Sequence, residues 1–206
     1  MSQYFQIHPA NPQPRLIYRA ADIVRGGGVI AYPTDSSYAL GARVGGREAL
    51  ERIRRIRRVG PAHNFTLVCG DLSELSHYAR VDNDTYRLLR RFTPGPYTFI
   101  LPATREVPRR LQHPKRRSIG LRLPDFPVVT ALLGALGEPL LSSTLIMPGE
   151  QLPLNDPAVI RERLENAVEL VIDSGPCDWR STTVIDLLSG PPKIARHGKG
   201  DTSAFT

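Results

Sequence analysis

The chain has 206 residues, enough for a substantial hydrophobic core, and we predict one domain over 1–206. No apolar run reaches the roughly 20 residues that a membrane-spanning helix needs, and residues 1–7 lack the basic and apolar parts of a signal peptide, so we expect a cytoplasmic protein with no membrane partner. The formal net charge is +7, and it is unevenly distributed. The segment from Arg43 to Arg122 has 18 basic and 7 acidic residues (+11), whereas the rest of the chain has 9 basic and 13 acidic residues (−4). This asymmetry indicates an anionic partner.

Helices and strands alternate along the chain. Apolar residues at helical spacing and an Asp-Pro start predict helices, and short apolar runs bounded by Gly, Pro or polar residues predict strands. The elements in chain order are a helix over 16–24, a strand over 29–32, a helix over 47–58, a strand over 65–69, helices over 72–78 and 83–92, strands over 97–101 and 118–123, a helix over 128–136, a strand over 140–146, a helix from 156, and strands over 168–173, 183–187 and 193–196. Because helices do not separate every strand, we predict an α/β fold with a mixed sheet.

The segment from Val29 to Gly41 is the most informative part of the sequence. An apolar run is stopped by Pro33, and four polar residues and then Tyr38 follow. Polar groups at the end of a buried strand commonly form the binding site of an open α/β sheet. An ordinary turn is the alternative, because Pro, Asp and Ser favour turns.

Five segments resemble, in order, motifs of the YrdC-like threonylcarbamoyl-adenylate synthases. They are 33–41 (PTDSSYALG), 93–98 (TPGPYT), 118–124 (SIGLRLP), 182–186 (TTVID) and 196–198 (RHG). Each motif is weak alone, whereas five in register are specific. Two further segments, 63–67 (HNFTL) and 71–75 (DLSEL), are similar to the YciO branch of that family.

The resemblance implies a fold and a reaction. The fold would be a twisted open mixed sheet with flanking helices and a large basic concave face. In the reaction, threonine and bicarbonate form a carbamate whose carboxylate attacks the α-phosphorus of ATP, which releases pyrophosphate and leaves threonylcarbamoyl-adenylate for modification of an adenosine in tRNA. The carbamate would be the nucleophile, so no side chain is expected to act as nucleophile or base. Magnesium would accompany the ATP substrate, and no tightly bound cofactor is expected.

The resemblance also assigns residues to the two ligands. Arg122 would bind the threonine carboxylate, since a planar guanidinium suits a bidentate contact; a surface arginine at a strand end is the alternative. The threonine site would consist of Thr34, Ser36, Tyr38, Arg122 and Thr182. The nucleotide site would consist of Arg57, Arg58, His63, Ser118, Ser142, Ser143, Thr144 and Arg196.

Two motifs depart from the family pattern. Arg57 and Val59 occupy the positions of a Lys-x-Arg pair, and Thr144 and Ile146 occupy those of a Ser-x-Asn motif. If the missing arginine and asparagine each supplied a hydrogen bond to a charged group, each change would cost roughly 1.5–3 kcal/mol. We therefore expect weak synthase activity, which Val59→Arg and Ile146→Asn should raise.

The basic segment supports a second hypothesis, in which the protein binds double-stranded RNA, tRNA or rRNA and kept the fold but lost efficient synthesis. Phosphate contacts need no sequence readout, and duplex RNA is recognised largely by shape. Few aromatic residues lie among the basic ones, which makes base stacking on single strands less favourable. The residues proposed for RNA are Arg52, Arg54, Arg55, Arg58, Arg109, Arg110, Lys115, Arg116 and Arg117. A solvated charged surface is the alternative.

No metal site is predicted. The five histidines form no ligand pattern, and the two cysteines, Cys69 and Cys177, lie too far apart for a metal or redox motif.

Overall fold

The structure is a computed structural model that describes residues 1–205. It contains one sheet of ten strands: β1 (Gln3–Gln6), β2 (Ile30–Tyr32), β3 (Ala39–Arg43), β4 (Thr66–Val68), β5 (Tyr97–Pro102), β6 (Ser118–Arg122), β7 (Leu140–Thr144), β8 (Leu170–Asp173), β9 (Thr183–Asp186) and β10 (Lys193–Arg196). The strand order is β1-β8-β2-β3-β7-β4-β6-β5-β9-β10. Four of the pairs are parallel (β1–β8, β2–β8, β4–β6 and β5–β9), and the others are antiparallel. The predicted mixed α/β sheet is confirmed.

In the described residues, six helices flank the sheet: α1 (Pro14–Arg25), α2 (Arg47–Arg57), α3 (Leu72–Tyr78), α4 (Asn83–Phe92), α5 (Pro127–Leu136) and α6 (Pro157–Leu164). Three of them begin at an aspartate whose carboxylate accepts a backbone N–H of the first turn: Asp71, Asp82 and Asp156. Gly137 ends α5 with a φ of 72°, a left-handed conformation that glycine adopts without strain. None of the helices in residues 1–205 is both long and apolar enough to cross a membrane.

The two faces of the sheet differ in their helical cover. One face packs against α2, α3, α4 and α6 through buried residues such as Leu50, Leu75, Leu89 and Ile160. The other face packs against α1 and α5, and the strand residues buried there come from β1, β8, β2, β3, β7 and one end of β4. We call this part the covered half; the rest of the same face, formed by β6, β5, β9, β10, the start of β4 and the end of β7, is the open half.

The open half carries a different set of side chains. Because successive residues of a strand point to opposite faces, Thr98 and Ile100 of β5 and Ser118 and Arg122 of β6 lie on this face, whereas Phe99 and Ile119 belong to the core on the other side. This half therefore presents hydroxyls and a guanidinium where the covered half presents apolar groups.

Two strands were not predicted. β1 is a polar strand at one edge of the sheet, and it forms by parallel pairing with the apolar β8, so its own residues give little signal. β3 directly follows the polar segment 34–38, and its small residues are buried because Leu140 and Tyr32 pack against Gly41, where an added Cβ would lie 2.7 and 2.8 Å from them.

Candidate active site

A cavity of about 310 Å³ lies on the open half of the sheet. Elements that are far apart in sequence meet there: the ends of strands β6, β7 and β9, the C-terminal end of α2, and strand β10. The cavity is lined by nine of the thirteen residues predicted for the threonine and nucleotide sites: Arg57, His63, Ser118, Arg122, Ser142, Ser143, Thr144, Thr182 and Arg196.

Arg122 is the most constrained charged group in the cavity. It ends β6, and its side chain is 8% exposed. Its Nη2 donates to the Asp35 carboxylate, to Ser36 Oγ at 2.9 Å and to Thr34 Oγ1 at 3.2 Å. Its Nε is buried and has no hydrogen-bond partner among the described residues. A buried donor that lacks a partner costs free energy. Nη1 forms no hydrogen bond within residues 1–205 and is not among the buried atoms, so it is the donor that a carboxylate or phosphate oxygen in the cavity could contact.

The other residues predicted for threonine are placed differently. Thr34 and Ser36 are buried and lie against the Arg122 guanidinium instead of lining the cavity, so they orient the arginine. Tyr38 is part of the core on the opposite face, and its hydroxyl donates to the backbone oxygen of Gly175 at 2.9 Å. Its phenol does not line the cavity, because the chain enters β3 at residue 39 with Tyr38 turned to the other face.

A second constellation joins Arg57, Ser143 and His63. Arg57 donates from Nη1 to Ser143 Oγ at 2.7 Å and from Nε to the backbone oxygen of Ile146 at 3.0 Å. His63 Nε2 lies 3.0 Å from the same Ser143 Oγ. Burial, together with the charges of Arg57 and Arg54, lowers the pKa of His63 to about 4. The imidazole is therefore neutral at pH 7 and pairs with the serine hydroxyl.

A third constellation lies at the start of β9 and the end of β10. Arg196 donates to the backbone oxygen of Thr182 from Nη2 at 2.9 Å and from Nε at 3.2 Å, and Nη2 also reaches Thr182 Oγ1 at 3.1 Å. Thr182 Oγ1 lies 2.9 Å from Thr98 Oγ1. These contacts place a guanidinium over two threonine hydroxyls on the floor of the cavity.

The three arginines Arg57, Arg122 and Arg196 influence one another. Burial, and then the charge of Arg196, lowers the pKa of Arg57, and burial and the charge of Arg122 lower that of Arg196. In the part of the chain that the structure describes, only Arg122 of these three pairs with a carboxylate. The cavity thus carries uncompensated positive charge and is suited to an anion.

Several lining residues were not predicted for this site. Thr98 lies within a segment already matched to the family. Its spacing of two residues from Ile100 on β5, which puts both side chains on one face, could have indicated it. Arg116, predicted for RNA, lines the cavity and pairs with Asp186 at 2.8 Å. An apolar side is formed by Phe65, Ile100, Leu111, Ile146 and Val184.

Other predicted basic residues are engaged elsewhere. Arg58, predicted for both nucleotide and RNA, is exposed; it is the left-handed residue that follows α2, and it does not line the cavity. Arg52 pairs with Glu169 at 2.8 Å, and Arg54 pairs with Glu51 at 2.5 Å and lies over the Phe65 ring. Arg110 donates to the backbone oxygen of Gly45. The predicted basic face of α2 is thus reduced to Arg55 and Arg58.

The two departures from the family pattern have different surroundings. Ile146 lines the cavity, and its backbone oxygen holds Arg57. Val59 lies outside the cavity lining, just beyond the end of α2. Of the two substitutions that would restore the family pattern, only Ile146→Asn would place a new polar group directly in the cavity.

The donor set of the cavity fits an anion better than a bare metal ion. Within residues 1–205, no group of three or more His, Cys, Asp or Glu side chains is arranged to hold a metal. The polar side chains that line the cavity are guanidiniums, hydroxyls, the Asn64 amide and one neutral imidazole, whereas Mg²⁺ prefers carboxylate and phosphate oxygens.

Comparison with known proteins identifies relatives over nearly the whole chain. The Sua5_yciO_yrdC family model, described as "Telomere recombination", matches residues 22–198. YciO of Escherichia coli strain K12 is 55% identical over 205 residues and covers 100% of both chains; the E. coli YciO crystal structure superposes with a TM-score of 0.97, at 54% identity and full coverage of both chains. A threonylcarbamoyl-AMP synthase of Chromobacterium violaceum is 32% identical over 183 residues, which is 88% of this chain and 94% of that protein.

A more distant solved structure shares the fold. P. abyssi Sua5, solved in complex with L-threonine, has a TM-score of 0.88 at 24% identity, and the match covers 96% of this chain and 58% of that one.

Proposed function

Since the chain belongs to the Sua5/YciO/YrdC family, we propose that it is an L-threonylcarbamoyladenylate synthase, which joins threonine, bicarbonate and ATP. The observation that carries the proposal is the Arg122 guanidinium, held through Nη2 and with its Nη1 left without a hydrogen bond within residues 1–205, in a cavity where Arg57 and Arg196 supply further positive charge. The 32% identity to a protein named threonylcarbamoyl-AMP synthase supports the same reaction.

In this proposal Arg122 binds the carboxylate of threonine. Asp35, Ser36 and Thr34 hold one end of its guanidinium, so the arginine is oriented before the ligand arrives and little ordering is required on binding. Nη1, which forms no hydrogen bond within residues 1–205, is the donor left for the ligand. Asp35 also balances the charge of Arg122 itself when the site is empty.

Arg57 and Arg196 would bind the phosphates. Both guanidiniums are partly buried and fixed by hydrogen bonds to Ser143 and Thr182, and so can stabilise the negative charge on the oxygens of the α-phosphate and on the departing pyrophosphate. Magnesium would enter with the triphosphate, whose oxygens supply the ligands that the cavity lacks. The apolar side around Ile100 and Val184 would contact the adenine.

Chemically, the carbamate formed from threonine and bicarbonate is the nucleophile. Its carboxylate oxygen bonds to the α-phosphorus, the bond from that phosphorus to the bridging oxygen breaks, and pyrophosphate leaves with the electron pair. No proton has to be removed by the protein in this step, so catalysis depends on bringing two anions together and neutralising them.

The test is incubation of the purified protein with labelled threonine, ATP, bicarbonate and magnesium, followed by detection of pyrophosphate and threonylcarbamoyl-adenylate. We expect both products in equal amounts, and loss of both in Arg122→Lys, which keeps the charge but not the planar fork. Thermal unfolding of that variant serves as the folding control. A folded wild-type protein that yields neither product would overturn the proposal.

A further inference from the structure

Lys199 lies in the segment that follows β10, and its side chain reaches the loop that orients Arg122. Its Nζ donates to the backbone oxygen of Asp35 at 2.6 Å and lies 3.5 Å from Oδ2 of Asp178. The ammonium thus joins three segments that are far apart in sequence, which precede β3, precede β9 and follow β10. Lys199 is not among the residues that line the cavity, so it acts on the site through its contacts with the protein.

The backbone that carries Lys199 is fixed against the start of β9. The N–H of Gly198 donates to Thr183 Oγ1 at 3.1 Å, and that hydroxyl donates to the backbone oxygen of Gly200 at 2.6 Å. The N–H of Lys199 donates to the backbone oxygen of Ser181 at 2.9 Å. An added Cβ on Gly198 would collide with the backbone at Ser181, so this close approach requires glycine. The lysine side chain therefore starts from a well-defined backbone.

Asp35, which Lys199 holds by its backbone oxygen, is also the carboxylate partner of Arg122. One carboxylate oxygen of Asp35 accepts from Arg122 Nη2, and the other accepts the backbone N–H of Asp125 at 2.9 Å. The same Nη2 donates to the two hydroxyls that flank Asp35 in the chain, at 2.9 and 3.2 Å. Within residues 1–205, the polar contacts that orient the Arg122 side chain therefore all come from the loop that Lys199 holds.

Asp178 keeps the ammonium in place. Its Oδ2 lies 3.5 Å from Lys199 Nζ and accepts from Arg180 Nη2 at 2.9 Å. The hydrogen bonds from Arg180, together with the charge of Lys199, lower the pKa of Asp178 to about 2. The carboxylate is therefore charged at neutral pH and attracts the lysine on the side away from Asp35.

We propose that Lys199 is a positioning residue for Arg122. Without the ammonium, the backbone oxygen of Asp35 loses this donor, and the loop is free to shift together with the carboxylate that holds the guanidinium. Because binding of a carboxylate depends on a guanidinium that is oriented beforehand, such a shift weakens the contact to threonine more than the contacts to phosphate. The kinetic consequence rests on the proposed function, whereas the ordering of Arg122 is a property of the protein without ligand.

The first test follows Arg122 itself, through hydrogen exchange of its Nε–H in NMR spectra of the isotopically labelled protein. This atom is buried and has no hydrogen-bond partner within residues 1–205, so its protection reports how firmly the side chain is held. We expect Lys199→Met, which keeps the length of the side chain but not its charge, to raise the exchange rate by about tenfold or more, as the loss of a hydrogen bond to a charged group implies. Arg122→Lys assigns the resonance.

The matched control is Lys193→Met. Lys193 is an exposed lysine of β10 without an ion pair among the described residues, so its replacement removes the same charge from the same part of the chain. Exchange of the Arg122 Nε–H in this variant should stay within about twofold of the wild-type rate, since no tether to the loop is lost.

The second test compares the steady-state constants of adenylate synthesis. In Lys199→Met the KM for threonine should rise by about fivefold or more, while the KM for ATP and kcat at saturating threonine stay within about twofold. A variant that had lost only stability would lower the active fraction, and therefore kcat, without raising the KM for one substrate.

Unchanged exchange at Arg122 together with an unchanged KM for threonine would overturn the proposal. An equal rise of exchange at Arg122 and at the backbone amides of β6 would also overturn it, because Lys199 would then support the fold as a whole. A folded wild-type protein that makes no adenylate would instead overturn the proposed function, and the exchange measurement would then decide the role of Lys199 by itself.

Discussion

The covered and open halves of the sheet share one face and one backbone geometry but have opposite surroundings. On the covered half, Leu140, Leu170 and Ile30 pack against α1 and α5 and are fully buried. On the open half, Thr98, Ser118 and Arg122 occupy equivalent outward positions and meet a cavity. The difference shows that the site exists because no helix covers this half of the sheet. Ordinary strand alternation then directs the polar side chains toward the cavity.

The comparison predicts that substitutions on the covered half change stability and that those on the open half change function. The ion pair between Asp35 and Arg122 is the exception on the open half, because both side chains are less than a tenth exposed. We expect Asp35→Ala to lower the free energy of unfolding by about 3–5 kcal/mol, since it leaves a buried guanidinium unpaired. Urea denaturation measures this loss, and a loss below about 1 kcal/mol would show that the pair is dispensable.

The covered half should respond to a cavity in its apolar layer. Leu132 of α5 is fully buried between the helix and the sheet. Leu132→Ala should cost about 2–5 kcal/mol of stability while the affinity of the remaining folded protein for ATP stays within about twofold. Denaturation and calorimetric titration together check both statements; a large change in affinity would mean that the two halves are coupled.

The open half should tolerate a polar side chain in place of an apolar one. Ile146→Asn adds an amide to the cavity lining where the family pattern has one. We expect adenylate synthesis to rise by about tenfold or more, because a hydrogen bond to a charged group contributes roughly 1.5–3 kcal/mol. Val59→Arg, which lies outside the lining, serves as the control and should raise the rate less. Product formation under saturating threonine gives the comparison.

The smallest expected effect concerns pH. The pKa of His63 is about 4 in the folded protein, below the ordinary value of 6.5. Between these values the unfolded chain binds a proton that the folded chain does not, so stability falls as the pH is lowered from about 6.5 to 4. His63→Gln should flatten this part of the profile of melting temperature against pH. An unchanged profile would assign the acid sensitivity to other groups.

Most of the elements could be predicted from local pattern, because the helices carry apolar stripes, three of them follow a capping aspartate, and the buried strands are short apolar runs. β1 and β3 escaped prediction because their stability comes from neighbours: β1 pairs with β8, and β3 lies between β2 and β7. Neither neighbour is visible in the strand's own residues.

The residues of the site likewise divide into those that could be predicted from the sequence and those that could not. Arg57, Arg122 and Arg196 could be proposed because each lies in or beside a segment with family resemblance, and the structure brings all three to one cavity. Other features depend on packing between distant segments. Thr34 and Ser36 support Arg122, Tyr38 lies on the opposite face, and Arg116 lines the cavity. No spacing rule along the chain contains that information.

The like charge collected around the cavity has a consequence for turnover. Arg57 and Arg196 repel their neighbours in the empty protein, and any polyanion that enters relieves the repulsion. The relief does not distinguish an incoming triphosphate from the pyrophosphate that the proposed reaction leaves behind. We therefore expect product inhibition: pyrophosphate should raise the melting temperature of the protein and compete with ATP, and an added pyrophosphatase should prolong the linear phase of synthesis. The net direction of the proposed reaction would then depend on the removal of pyrophosphate.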